Sequence, residues 1–278
     1  MTRTDEADLV VLDPLSSDVW RATLNSPEDR NALSGDMRRA ILQALRDAHE
    51  AGAKVVIVRG DERAFSSGYR LDPGVMRPST TVEDRARLVE VTDFLRAYRE
   101  HPIVTIAEIR GYCLAGGTDL MLASDVAVAA SDASLGVPNV RGLGITLFFP
   151  VWSWLLGPQR AKLLALTGDT ITGAEAAQWG LVATSFPVDD VEERTRAIAE
   201  RIALMPRELL GVVKEALNVV WDSAGLGTAV LRAAELDALS HATRPVEEFW
   251  AHVAEGGMRK ALAARDAAFH GGRILDLL

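Results

Sequence analysis

The feature that most constrains this chain is the run RGYCLAGGTDL, Arg110 to Leu120, in which two adjacent glycines separate two apolar segments. The run Ile103 to Ile109 before it is typical of a buried strand, and the run Leu120 to Ala123 begins a buried helix. Because glycine has no Cβ, a ligand oxygen can approach the Gly116 N–H at a helix start closely, beside the carboxylate of Asp119. The pattern predicts a site for an oxyanion and a proton-transferring acid. The spacing alone fits a plain tight turn equally well.

Composition limits the classes of protein to consider. A chain of 278 residues with 48% hydrophobic content can bury a large core. The net charge of -9 argues against a nucleic-acid partner, because phosphate backbones bind basic surfaces. A single cysteine, Cys113, excludes an internal disulfide and a multi-cysteine zinc site, and is typical of a cytoplasmic protein.

Neither a membrane span nor an export signal is expected. The longest apolar run, Ile145 to Gly157, is interrupted by Pro150 and is shorter than the ~20 residues that a span requires. The acidic start MTRTDEADLV lacks the basic segment and apolar stretch of a secretory signal. We therefore predict a cytoplasmic protein with no membrane partner.

The order of predicted elements indicates an α/β fold. Strand-like and helix-like segments alternate from an N-terminal hairpin, Leu9 to Leu24, as far as the strand Leu181 to Phe186. After that strand only helical patterns follow, with Val246 to Glu255 and Met258 to Phe269 predicted as separate helices. We predict a core over residues 1–205 and a helical region over residues 206–278.

Three common catalytic motifs are missing from the sequence, namely the GxxxxGK[ST] phosphate loop, the GxSxG nucleophile elbow and the HExxH metal motif. None of the histidines pairs with another ligand at metal-binding spacing, and we interpret each as a surface or capping residue. The five histidines are His49, His101, His241, His252 and His270.

Five segments, in this order and spacing, resemble the crotonase superfamily, also called the enoyl-CoA hydratase/isomerase family. They cover most of the chain: NSPEDRNALS (25–34), VVIVRGDERAFSSGYRLD (55–72), HPIVTIAEIRGYCLAGGTDLMLASDVAVAA (101–130), SLGVPNVRGLG (134–144) and LLGPQRAKLLALTGDTITGAEAAQWGLV (155–182). The resemblance implies a spiral of ββα turns followed by a helical region that assembles trimers or hexamers. It also implies an acyl-coenzyme A substrate, with no tightly bound cofactor and no metal.

The resemblance assigns roles to four residues. The backbone amides of Tyr69, in FSSGY, and Gly116, in AGGTD, would form the oxyanion hole that holds the thioester enolate. Hydratases of the family carry two glutamates, and this chain departs at both positions, with Asp119 at the first and Asn139 at the second. An amide does not exchange protons under ordinary conditions, so Asn139 would orient water while Asp119 acts as acid and base in turn.

The departures leave the reaction open. Hydration of an enoyl-CoA is our first hypothesis. Asp119 would also serve double-bond isomerisation, or hydrolysis of a thioester or a carbon–carbon bond. An acyl-CoA-binding protein that has lost catalysis is the remaining alternative.

Further residues are assigned to the ligand by the same resemblance. Arg30, Ala32, Arg63 and Ser67 lie in segments that approach coenzyme A in the family, and Lys260 would reach it from a neighbouring subunit. The aromatic residues Phe148, Phe149 and Trp152 would shape an acyl pocket for a large or ring-bearing group, or they would form ordinary core.

Overall fold

The computed structural model describes residues 9–71, 80–145, 147–269 and 273–277. The start of the chain and His270 carried predictions but lie outside the described residues.

Strands and helices alternate over the first two thirds of the described chain, as the sequence patterns predict. The strands are β1 (Val10–Pro14), β2 (Val19–Leu24), β3 (Val55–Arg59), β4 (Ala64–Ser66), β5 (Val104–Ile109), β6 (Tyr112–Leu114), β7 (Val126–Ala130), β8 (Ser134–Gly136), β9 (Thr170–Thr172) and β10 (Thr184–Phe186). The helices are α1 (Gly35–Glu50), α2 (Thr81–Glu100), α3 (Gly116–Ala123), α4 (Trp152–Leu156), α5 (Pro158–Thr167), α6 (Gly173–Trp179), α7 (Val191–Ala203), α8 (Arg207–Ser223), α9 (Leu226–His241) and α10 (Arg244–Asp266).

Two sheets organise the core. The larger has the order β1-β2-β3-β5-β7-β10, antiparallel only between β1 and β2, and the smaller has the order β4-β6-β8-β9. In three successive units, β3-β4, β5-β6 and β7-β8, the first strand joins the larger sheet and the second joins the smaller one. This repetition confirms the predicted ββα spiral and the α/β class.

The smaller sheet is the part of the fold that the sequence patterns missed. Its strands are three residues long, too short for an alternating pattern to be visible. Because β4 and β6 pair in parallel, the loops that follow them leave the sheet at the same edge. These are the two glycine-containing loops on which the proposed oxyanion hole depends.

Helix α3 is held in the centre of the molecule, since each of its eight residues, Asp119 included, is buried. The second glycine of the pair makes this packing possible. A Cβ added at Gly117 would lie 2.6 Å from the carbonyl oxygen of Ser66, at the end of β4. Helix α3 therefore rests directly on the backbone of the neighbouring loop.

The C-terminal part of the described chain is helical after β10, as predicted, with one difference of detail at its start. The break predicted between two helices near Gly257 is confirmed, because the backbone inside α10 is non-helical at Gly257, with φ 80° and ψ 164°. Strand β10 begins at Thr184 rather than Leu181, because the Leu181 N–H closes the end of α6 by donating to the Ala176 carbonyl.

Helix α9 lies against α2, and its residues Leu226, Ala234 and Ala238 join the main hydrophobic core. None of the helices in the described ranges combines the length and apolarity needed to cross a bilayer. The division of the chain near Met205 stays a prediction.

Replacing Gly117 with alanine tests the close packing of α3. Because the new methyl group would displace backbone, we expect the free energy of unfolding to fall by about 1–3 kcal/mol. The matched control is Gly211→Ala in α8, where a Cβ meets nothing within 4 Å and alanine's helix propensity should stabilise the protein by about 1 kcal/mol. Urea unfolding of both variants measures the difference, and equal effects would contradict the packing argument.

Candidate active site

The two predicted oxyanion donors belong to loops in direct contact. Tyr69 follows β4 and forms an isolated parallel bridge with Leu33, and Gly116 follows β6. A methyl group added at Gly68 would lie 3.1 Å from the Gly116 nitrogen. The backbone segments that carry both amides are therefore adjacent.

Neither amide is used by the hydrogen bonding of the described residues. In the described part of the chain, neither the Tyr69 N–H nor the Gly116 N–H donates a hydrogen bond to another residue. The residue between β6 and α3, Ala115, has φ 48° and ψ -120°, a conformation unusual for a residue with a side chain. Such strain is found at functional loops and fixes the direction of the following amide.

The side chain of Tyr69 covers this loop instead of pointing away from it. Its ring lies across the Gly116 Cα, since a Cβ at Gly116 would come within 2.5 to 2.8 Å of three ring atoms. The ring also packs against Phe148, with 5.5 Å between centroids, and the hydroxyl donates to Asp119 Oδ2 at 3.2 Å. Tyr69 therefore separates the buried carboxyl group from the cavity.

Asp119 is fully buried, and both of its oxygens accept hydrogen bonds. Oδ1 accepts from the Phe149 N–H at 2.9 Å, and Oδ2 from the Tyr69 hydroxyl. Burial raises the pKa of Asp119 to about 8, although these hydrogen bonds oppose the shift and the charge of Asp237 adds to it. An acid with such a pKa can both give and take a proton near neutral pH.

Asn139 lies in a short 3-10 helix, Pro138–Arg141, and is also buried. Its Nδ2 donates to the Gly144 carbonyl at 3.1 Å, which fixes the orientation of the amide. Its Oδ1 is buried without a hydrogen-bond partner among the described residues. An unpaired buried acceptor is unfavourable, so this is an oxygen that a bound water molecule or substrate hydroxyl would satisfy.

Tyr69 and Asn139 border a cavity of about 790 Å³ between the core and the C-terminal helices, whereas Gly116 and Asp119 lie behind its wall. Loops near the sheets, helices α2 and α9, and the second half of α10 all contribute to its wall. The lining residues are Asp29, Arg30, Ala32, Ser67, Tyr69, Arg70, Leu71, Arg87, Leu88, Val91, Tyr112, Leu114, Ala115, Pro138, Asn139, Leu143, Phe148, Asp237, His241, Val253, Met258, Leu262, Arg265 and Asp266.

Three of the five predicted coenzyme A contacts line this cavity: Arg30, Ala32 and Ser67. The guanidinium of Arg30 lies 5.6 Å from the centroid of the Tyr112 ring. Arg63 and Lys260 are both exposed and do not line the cavity. The contact of Lys260 with a neighbouring subunit's ligand stays a prediction.

Of the predicted acyl-pocket residues, the structure brings only Phe148 to the cavity wall. Phe149 is buried against Trp221, with 6.2 Å between ring centroids, and contributes its backbone N–H to Asp119 instead. Trp152 is also buried and does not line the cavity. The segment after Asn139 therefore contributes one aromatic side chain, Phe148, to the cavity wall and one backbone N–H, that of Phe149, to Asp119.

The cavity contains functional groups that the sequence patterns did not indicate. His241, interpreted from the sequence as a surface or capping residue, lines the cavity with Asp237 from the same helix. Only 9% of its side chain is exposed, because α9 packs on α2. The missed signal was an Asp and a His four residues apart, on the same helical face as Ala234 and Ala238.

Cationic side chains near the cavity mouth were also missed. Arg70 and Arg265 line the cavity and pair with Asp29 and Asp266, respectively. Among the described residues, no group of three or more histidine, cysteine, aspartate or glutamate side chains is arranged to hold a metal ion.

Comparison with known proteins places this geometry in context. The family model for enoyl-CoA hydratase/isomerase matches residues 15–246. A Mycobacterium bovis protein named "Probable enoyl-CoA hydratase" is 32% identical over 211 residues, which are 73% of this chain and 78% of that protein.

Two solved structures have folds similar to that of this protein over nearly the whole chain. The crystal structure of an enoyl-CoA hydratase from Mycobacterium smegmatis superposes with a TM-score of 0.85 at 30% identity, covering 95% of this chain and 96% of the other. That of an enoyl-CoA hydratase/isomerase from Xanthobacter autotrophicus Py2 gives a TM-score of 0.86 at 34% identity, covering 94% and 98%.

The raised pKa of Asp119 predicts a pH-dependent stability. Between about 4, the usual pKa of an unfolded aspartate, and about 8, the folded protein keeps a proton that the unfolded chain has lost. The free energy of unfolding of the wild type should therefore fall, relative to that of Asp119→Asn, as pH rises through this window. Urea unfolding of both proteins at about pH 5 and about pH 8 measures it. Parallel pH dependences would contradict the burial of an ionisable carboxyl group.

Proposed function

The chain belongs to the enoyl-CoA hydratase/isomerase family, and we propose that it adds water to the double bond of an enoyl-CoA thioester and removes it in the reverse direction. The observation that carries the proposal is the unpartnered Oδ1 of Asn139, a buried acceptor in the wall of the cavity that also holds Tyr69. A bound water there would attack the β-carbon. A protein that only binds acyl-CoA has no need of such an acceptor.

In this proposal the thioester oxygen binds between the N–H groups of Tyr69 and Gly116. Negative charge develops on that oxygen when the β-carbon is attacked, because the electron pair of the double bond moves toward the thioester. Two donors that make no hydrogen bond to any described residue can stabilise the enolate without rearrangement of the protein.

The proton at the α-carbon is supplied by Asp119. Since Asp119 is buried and bonded to the Tyr69 hydroxyl, the proton passes through that hydroxyl: Tyr69 gives its proton to the enolate and takes another from Asp119. The pKa of about 8 keeps Asp119 protonated at neutral pH, ready for this step.

The cationic side chains that line the cavity fit the phosphates of coenzyme A. Arg30, Arg70 and Arg265 provide local positive charge in a protein whose net charge is -9. The proposed substrate is therefore an acyl-CoA, with coenzyme A as part of the substrate and no tightly bound cofactor.

We also propose that the protein assembles as a trimer or hexamer and is located in the cytoplasm. Helix α8 supports assembly because it exposes large apolar side chains: Leu209, Val212, Val213, Leu217 and Val220. The cytoplasmic location rests on the single cysteine, Cys113, which is free and buried.

Isomerisation of an enoyl-CoA is the second candidate function. It is favoured because this chain has Asn139 at the position where hydratases of the family carry a second acid. A single acid–base group can move a proton between two carbons of an enoyl-CoA without activating water. Product mass distinguishes the reactions, because hydration adds one water, isomerisation leaves the mass unchanged, and thioester hydrolysis releases a free thiol.

Replacing Asp119 with asparagine tests the proposed function. With a panel of linear and ring-bearing enoyl-CoA thioesters, the wild type should form the hydrated product, and Asp119→Asn should lower kcat by about 10²–10⁴ because the α-carbon loses its proton donor. The control is Asp93→Asn, an exposed aspartate of α2 that pairs with Arg96, which should leave kcat unchanged. Equal turnover in Asp119→Asn and wild type would remove Asp119 from the mechanism.

Replacing Asn139 with leucine separates hydration from the other steps. Leucine fills a similar volume but offers no acceptor for water, so hydration should fall while exchange of the α-proton of a saturated acyl-CoA with deuterium oxide persists. The first is followed by the ultraviolet absorbance of the conjugated thioester, and the second by mass spectrometry. Loss of both activities together would mean that Asn139 holds the cavity in shape and does not bind water.

A further inference from the structure

The proposed hydration leaves one proton without an acceptor. Water loses a proton when it attacks the β-carbon, and the amide of Asn139 cannot take it. Asp119 is poorly placed as well, because it is fully buried and its two oxygens are occupied by Phe149 and Tyr69. A second proton-transferring group is therefore required on the cavity side of Tyr69.

The side chain that meets this requirement is His241 on α9. Its Nδ1 lies 2.7 Å from Asp84 Oδ2 on α2, and the other oxygen of Asp84 accepts from Arg87 at 2.6 Å. With a carboxylate bonded to Nδ1–H, neutral imidazole keeps its lone pair on Nε2. Asp84 thus orients the ring and selects the tautomer that can act as a base.

Nε2 is the atom left available for chemistry. It lies 3.6 Å from Asp237 Oδ1, too far for a hydrogen bond, and Asp237 Oδ1 itself accepts from the Ile145 N–H at 2.7 Å. The position of the imidazole ring requires a glycine at position 144, because a Cβ at Gly144 would be 2.5 Å from His241 Nε2.

The loop at Gly144 connects the imidazole with the proposed water site. The Gly144 carbonyl accepts from Asn139 Nδ2, while its Cα faces Nε2 of His241. Asn139 and His241 therefore lie on the two sides of one residue, and both line the same cavity.

We propose that His241, held by Asp84, is the group that takes the proton from the attacking water and returns it to the departing hydroxide in the reverse reaction. This inference rests on the proposed hydration. In the forward direction the water oxygen bonds to the β-carbon, its proton passes to Nε2, and the double-bond electrons form the enolate. The enolate takes a proton from Asp119 through Tyr69. Imidazolium then loses its proton to solvent and Asp119 regains one, so the net change is one added water.

The charges around His241 set the pH range. Burial alone would lower its pKa, but the hydrogen bond to Asp84 and the charges of Asp237 and Asp84 outweigh burial, so the pKa of His241 is raised. The charged groups that surround it are Asp84 and Arg87 from α2 and Asp237 from α9, with Arg265 and Asp266 of α10 lining the same cavity. Hydration should therefore have an acidic limb from His241 and an alkaline limb near 8 from Asp119.

The test variant is His241→Asn, whose amide can keep an N–H near Asp84 but has no counterpart of Nε2. We expect hydration of enoyl-CoA to fall by about 10²–10⁴ and the acidic limb to disappear. Exchange of the α-proton of a saturated acyl-CoA should be unchanged, because that step uses Tyr69 and Asp119. In His241→Ala, added imidazole should restore part of the hydration.

Two further variants separate catalysis from folding. His252→Asn, an exposed histidine of α10, is the matched control and should behave as wild type. Asp84→Asn removes the carboxylate that orients the ring, and should lower kcat and move the acidic limb to lower pH. His241→Asn that hydrates as fast as wild type would overturn the role of His241.

The two proposals fail in distinguishable ways. One contrary result is that His241→Asn loses both hydration and α-proton exchange, with no rescue of His241→Ala by imidazole. That result would show that His241 has a structural role, and it would also overturn the inference. Wild-type protein that exchanges the α-proton but adds no water would refute the proposed hydration, and the role of His241 with it.

Discussion

The burial of one carboxyl group governs the arrangement of this protein. Asp119 lies inside a helix with no exposed residue, and its negative charge would be unfavourable there without hydrogen bonds. The Tyr69 hydroxyl and the Phe149 amide supply those bonds, and they still leave the pKa of Asp119 raised to about 8. The ring of Tyr69 can occupy its place only because position 116 is a glycine. The glycine pair, the tyrosine and the bulky segment near Phe149 are thus parts of one structure.

This arrangement places the proton donor, Asp119, behind the residues that line the cavity instead of among them. A carboxyl group that reaches the ligand through a hydroxyl is shielded from water, and its protonation is set by the interior of the protein. Three other polar residues differ from Asp119, because Asn139, Asp237 and His241 line the cavity themselves. The proposed mechanism divides two proton transfers between these surroundings, one at the α-carbon and one at the attacking water.

Sequence patterns predicted the features that depend on neighbouring residues. The N-terminal hairpin and the glycine turn before α3 follow from turn chemistry and apolar periodicity. The sequence patterns did not predict the three-residue strands of the smaller sheet, because these strands depend on pairing between distant segments. The sequence patterns missed the role of His241 for the same reason. Its partner Asp84 is on another helix, and no local spacing connects the two residues. Phe149 and Trp152 were assigned from their residue type, which does not tell a cavity wall from a core.

The central claim is that Asp119 is a buried acid whose proton is exchanged near neutral pH. Carbon-13 NMR of protein labelled at the aspartate carboxyl groups measures this directly, with the Asp119→Asn variant to assign the resonance. We predict one carboxyl group that titrates with a midpoint of about 8 and is missing from the variant. An Asp119 resonance that titrates near the ordinary value of about 4 would contradict the account.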